Sequence, residues 1–220
     1  MQNWPCIEWF ELYDNTWVHI EDSFHTALKE KVKTIYTKRS FDKRIGISGA
    51  YYTKTRMRAG LLKSVLVAVG TEIKGASDKI THLGRNKTLP VAGLPFRISP
   101  IWAELLAHAF FDGYADEHSM RYSNYDPEIR KEIGSMSEKI GIMGVNVPVN
   151  HKNDIGLPEV VPKMLMSIFH TYCFGSKTCR IPKILFGLAS RNDLFGWYFI
   201  KGAFLDEGTL TSGQIWIVRG

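Results

Sequence analysis

Apolar positions at helical spacing, punctuated by turn residues, organise this chain. Phe24, Leu28, Val32 and Ile35 recur at helical spacing and predict a helix over Phe24–Tyr36. A short helix follows over Ser40–Ile45 with Ser40 as its N-cap, then a tight turn at Gly46-Ile47-Ser48. A basic helix over Gly49–Arg58 and an apolar one over Leu61–Val69, stopped by Gly70, complete the N-terminal set. Upstream, residues 1–24 mix aromatics with acids and suggest a strand or two around an Asp14-Asn15 turn. Pro90 and Pro95, with Gly84 and Gly93, break the periodicity. Residues 85–98 therefore read as a linker between an N-terminal domain, 1–84, and a second domain, 99–220. In that second domain Ser99-Pro100 offers an N-cap and a first-turn proline for a helix over 101–112. Expected next are a strand over Met120–Asn124, a helix over Pro127–Ile140, a strand over Met143–Val149 and a helix over Val161–Phe174. A helix over Asp193–Glu207 and a strand over Thr209–Val218 end the chain. Helices mixed with short strands place it in the α+β class.

Two of these helices carry one pattern, 95 positions apart. The first copy is Leu105-Leu106-Ala107-His108-Ala109-Phe110-Phe111-Asp112-Gly113; the second is Ile200-Lys201-Gly202-Ala203-Phe204-Leu205-Asp206-Glu207-Gly208. In each, a small residue precedes an acid by five places and glycine follows the acid. Ala107 and Gly202 would let two helix backbones approach closely at a crossing. Gly113 and Gly208 would supply the left-handed conformation that stops a helix. Crossed in this way, the helices would bring Asp112 and Glu207 together, where like charges repel unless a cation sits between them. Carboxylate oxygens are what a hard ion such as Mg²⁺ takes, and it keeps coordination positions open for phosphate. His108, four residues before Asp112, reads as a packed or hydrogen-bonded histidine rather than a ligand.

Charge sharpens the picture. Residues 1–28 hold five acids and no Lys or Arg, whereas residues 29–97 hold sixteen Lys/Arg against four acids. The overall charge of +6 thus conceals a +12 block, and counterion release favours binding of such a block to a polyanion. Hydrophobic residues make up 45% and charged ones 23%, the balance of an ordinary globular protein. No apolar run is long enough for a membrane span and the first residues lack the pattern of a signal peptide, so a cytoplasmic protein is expected. Cys6, Cys173 and Cys179 have no zinc-ligand spacing and read as free thiols.

The paired motifs resemble the signatures of the LAGLIDADG (DOD-type) homing endonuclease family. The likeness covers roughly residues 94–220, and Leu94-Pro95-Phe96-Arg97-Ile98-Ser99-Pro100 is similar to the lead-in of archaeal members. The resemblance implies an αββαββα half whose signature helix pairs with that of a second half, and a curved antiparallel saddle that grips DNA. It implies that Asp112 and Glu207 are the catalytic, Mg²⁺-binding acids of a site-specific endonuclease that hydrolyses both strands of double-stranded DNA. With only 12 residues after Gly208, the second half is expected to be truncated, with one strand in place of a saddle. Homodimerisation through the signature helices or the truncated half stays open.

Residues 38–58 also resemble helix-turn-helix repressors. That likeness implies that Ser48, Tyr51, Lys54 and Thr55 face the major groove, with Lys54, Arg56 and Arg58 on phosphates or guanine edges. The alternative function is a non-catalytic helix-turn-helix DNA-binding regulator that retains the endonuclease fold.

Overall fold

A computed structural model describes residues 6–46, 54–86, 89–91, 96–116, 118–142, 145, 154–169, 174–175, 183–211 and 214–217; for 174–175, 184 and 207–217 it describes the backbone alone. The chain forms two compact units, Ile7–Phe96 and Arg97–Gly220, the latter taking in Met1–Cys6. Both combine helices with antiparallel strands, so the fold is α+β. Two-residue strands at Cys6–Ile7 and Phe96–Arg97 lie where the chain passes from one unit to the other.

In the first unit, strands β1 (Trp17–Ile20), β2 (Arg56–Arg58), β3 (Ile80–Leu83) and β4 (Leu89–Pro90) make an antiparallel sheet ordered β2-β1-β3-β4. Helices α1 (Asp22–Ile35), α2 (Lys38–Ile45) and α3 (Ala59–Ala68) accompany it. The core collects Val18, Met57, Leu83 and Leu89 from the sheet, Leu28 and Val32 from α1, Phe41 from α2, and Leu62 and Leu66 from α3. Residue alternation explains the strands: Met57 is buried between half-buried Arg56 and Arg58, a period of two.

This sheet overturns part of the expected helix-turn-helix. The helix expected over Gly49–Arg58 gives way to strand β2 at its end, because Arg58, Met57 and Arg56 pair with Trp17, Val18 and His19. Arg56 and Arg58 therefore stand on a sheet, and Lys54 and Thr55 lie in the bend that leads into it. Ser48 and Tyr51 fall outside the described residues. The cap of α2 is Thr37, which accepts from the Ser40 backbone N–H, so Ser40 lies in the first turn instead of at the N-cap. Gly46 closes α2 in the left-handed conformation, φ 70°. The stretch 85–98 is not wholly a linker, since Leu89 is buried and β4 pairs with β3.

The second unit centres on α4 (Pro100–Phe111), in which every residue from Trp102 to Phe111 is buried. A helix apolar on all sides has to be covered on all sides. One covering layer is an antiparallel sheet of β5 (Gly113–Ala115), β6 (Met120–Ser123), β7 (Asp154–Leu157) and β8 (Phe174–Gly175), ordered β8-β5-β6-β7. Met120 and Tyr122 of β6 point inward while Arg121 and Ser123 are exposed. Between the strands run α5 (Pro127–Lys139), capped by the Asp126 carboxylate on the Glu128 N–H, and α6 (Val160–Phe169). The strand expected over Met143–Val149 lies outside the described residues. Helix α7 (Lys183–Ala189) leads into α8 (Asp193–Glu207), the second motif helix with the bounds its sequence predicts. In place of the single strand expected over Thr209–Val218 there is a hairpin, β9 (Gly208–Thr211) with β10 (Gln214–Ile217).

Candidate functional site

The two motif helices pack directly on each other, and small residues set the distance. A Cβ built on Gly202 would lie 2.8 Å from the Glu104 carbonyl oxygen and 2.9 Å from the Ala107 Cβ. No real side chain fits there without moving a backbone. Lys201 of α8 reaches Glu104 of α4 at 2.5 Å, and this pairing holds the lysine above its ordinary pKa range. His108 of α4 meets Asp206 of α8 further along. Contacts that advance together on both helices, 104 with 201, 107 with 202 and 108 with 206, mean that the helices run in the same direction. Their C-terminal ends, and so the backbones of Asp112 and Glu207, emerge on the same side.

The duplication extends past the helices. In the first hairpin Gly113 pairs with Tyr122, Tyr114 with Arg121 and Ala115 with Met120. In the second Gly208 pairs with Ile217, Thr209 with Trp216 and Leu210 with Ile215. Each pair in the second set is its counterpart in the first moved by 95 residues. Helix, acid, glycine and hairpin register thus form one repeated unit.

Gly113, the glycine after the first acid, has a different task from the one expected. Gly113 is not in the left-handed conformation and is not part of the helix–helix contact. It begins β5, and a Cβ on it would lie 2.7 Å from the Ala109 Cα and 2.9 Å from the Arg121 carbonyl oxygen. Glycine is needed because the hairpin folds straight back over the end of its own helix. Gly208 opens β9 in the same register.

Asp112 is the residue just after α4 and is half-buried. Its Oδ2 accepts a hydrogen bond of 3.1 Å from Asn124 Nδ2. The same amide nitrogen donates to the Tyr122 hydroxyl at 3.0 Å, and that hydroxyl donates to Asp206 Oδ1 at 2.6 Å. His108 Nδ1 lies 2.9 Å from the same Oδ1. A continuous polar chain therefore runs from Asp112 through Asn124 and Tyr122 to Asp206 and His108. Burial, reinforced by the negative charge of Asp206, drives the Tyr122 phenol far above its ordinary range, so it stays a donor. Asp206 Oδ2 and His108 Nε2 are buried and have no hydrogen-bond partner among the described residues.

Glu207 is the last residue of α8, and its side chain lies outside the described residues. Ala107 and Gly202 are brought together as expected, and His108 is a hydrogen-bonded core histidine. Asp206, Tyr122 and Asn124 were not foreseen as site residues. The acid pair Asp206-Glu207 ahead of glycine is a visible signal in the sequence; the partners of Asp206 are visible only once α4 and β6 lie beside α8. The groups gathered here are two carboxylates, an amide, a phenol and an imidazole; among the described residues no group of three or more His, Cys, Asp or Glu side chains is placed to hold a metal ion.

No protein-family profile matches the chain, and neither does any curated protein. No helix among the described residues is long and apolar enough to cross a membrane. What fold and site define together is an α+β protein with a duplicated helix–hairpin unit and an acid at each helix end.

Proposed function

We propose that this chain is a LAGLIDADG-type homing endonuclease that recognises a double-stranded DNA site and hydrolyses its phosphodiester bonds with Mg²⁺. The observation that carries the reading is the repeated unit: two parallel helices in contact through Ala107 and Gly202, each ending in an acid followed by a hairpin of the same register. A structural helix pair would not need an acid at both C-terminal ends, where the helix dipole disfavours negative charge. A cation offsets that cost.

Asp112 and Glu207 would hold Mg²⁺. When bound, the ion supplies a lowered water pKa and positive charge beside the departing oxygen. The chain's own groups do the positioning. Asn124 occupies one side of Asp112 Oδ2 and so orients the carboxylate. Tyr122, held protonated, keeps Asn124 in place and joins it to Asp206. Asp206 and His108 tie the end of α8 to α4, which fixes the acid that follows in sequence. Basic residues concentrated in 29–97 would provide affinity for the polyanion.

The test is cleavage of a randomised duplex library by the protein and by Asp112→Asn, in Mg²⁺ and in Ca²⁺. The expected outcome is cut ends in Mg²⁺ that fall at least ~100-fold in the variant, with duplex binding retained in Ca²⁺. Enrichment of a site without cutting would replace this reading with that of a DNA-binding regulator. Absence of any duplex binding would overturn both.

A further inference from the structure

The sheet of the first unit has two unlike faces. Val18 pairs with Met57 and with Leu83, and all three are buried in the core. On the opposite face Trp17 pairs with Arg58, while His19 pairs with Arg56 on one side and with His82 on the other. Trp17, Arg56, Arg58 and His82 are half-buried on this face. The Arg58 guanidinium lies 4.1 Å from the centre of the Trp17 ring and that of Arg56 lies 5.0 Å from it. Arg58 also donates to the Asn15 carbonyl and Arg56 to the Arg85 carbonyl.

Two guanidinium groups on one indole is more than core packing requires, since a strong cation–π pair occurs about once per 70–80 residues. Ring and carbonyl contacts hold each planar fork in a set orientation, which lowers the entropy lost when it takes up a phosphate. Exposed Lys54 and Arg85 flank the pair, within a stretch whose charge is +12. Strands laid against DNA are an established way to reach its backbone and grooves.

We propose that the Arg56–Trp17–Arg58 face of this sheet is a duplex-DNA contact surface, with the two guanidinium groups on backbone phosphates and Trp17 as the plate that orients them. This rests on the reading of the protein as one that acts on duplex DNA. It places Arg56 and Arg58 on a strand, where the sequence suggested the end of a recognition helix.

The experiment is equilibrium binding of the full chain to a duplex in Ca²⁺ across a salt series, for the protein and for R56Q/R58Q and R56K/R58K. The expected result is a loss of at least ~10-fold for the Gln pair, with the salt slope reduced by about 2, and a smaller loss at an unchanged slope for the Lys pair. Phenylglyoxal labelling of the unaltered protein, read by mass spectrometry, covers the case of a variant that does not fold. Duplex should protect Arg56 and Arg58. Equal affinity of protein and folded Gln pair, or labelling unchanged by duplex, would overturn the surface and leave the endonuclease reading standing. Tighter binding of a single-stranded oligonucleotide than of duplex at this face would overturn the duplex assignment. Failure of the unaltered protein to bind duplex at all would overturn the endonuclease reading itself.

Discussion

Asp206 has a wholly buried side chain, yet it is an acid next to a second acid at a helix end. Its cost is offset by donors: the Tyr122 hydroxyl on Oδ1, with His108 Nδ1 beside it. A hydrogen bond to a charged group contributes about 1.5–3 kcal/mol. Tyr122 carries a pH signature. In the unfolded chain the phenol ionises near its ordinary value of 10.0, whereas in the folded chain it is held protonated far above that. A raised acid of this kind contributes stability that is complete below pH 10.0 and is lost as pH climbs beyond it towards the folded value. Denaturant midpoints of the protein and of Tyr122→Phe should therefore differ at neutral pH and converge as pH rises through the phenol range. A gap that stays constant there would show that the Tyr122 proton is not linked to folding.

At the scale of elements, the contact between α4 and α8 depends on a missing side chain. Gly202→Ala adds helix propensity worth ~1 kcal/mol, but the new Cβ would meet the Glu104 carbonyl and Ala107. Overpacking of this kind costs about 1–3 kcal/mol, so net destabilisation is expected in urea unfolding, and a gain in stability would mean the crossing is looser than the structure has it. The repeat offers an internal control. Trp102 and Trp197 occupy the same place in their motifs, 95 residues apart, yet Trp102 is 2% exposed and Trp197 67%. Trp102→Ala should cost about 3–5 kcal/mol through the cavity it leaves. Trp197→Ala should stay within ~0.5 kcal/mol. Equal costs would contradict the different covering of the two helices.

At the scale of the whole molecule, the basic stretch and the motif acids belong largely to different units. Residues 29–97 contribute +12, while both motif acids lie in the other unit. The proposed function then predicts that affinity for duplex of any sequence is dominated by counterion release. Raising salt from about 50 to about 200 mM should weaken binding by at least ~10-fold, and a salt-independent constant would argue against a phosphate-led interaction. The unit boundary at residues 96 and 97 lies inside the proline-bearing stretch that breaks the periodicity. Part of that stretch nevertheless belongs to the first sheet, because a two-residue strand needs only an edge to pair with and can carry a proline there.

The sequence by itself determined the features written locally. Helix α8 has the bounds its motif and flanking residues predict, α4 opens at Ser99-Pro100, and α5 opens at Asp126-Pro127. The 95-residue repeat and the crossing of Ala107 with Gly202 were also legible, since small residues recurring in apolar helices carry that information in their spacing. Tertiary structure alone decided the rest. Arg56-Met57-Arg58 alternates like a strand, yet it is a strand only because Trp17–His19 lies beside it, and that neighbour is about 40 residues away. Asp206 finds His108 at a separation of 98 residues and Tyr122 at 84. Side-chain periodicity reports which face of an element is buried; it says nothing of which distant backbone or carboxylate will supply the missing partner.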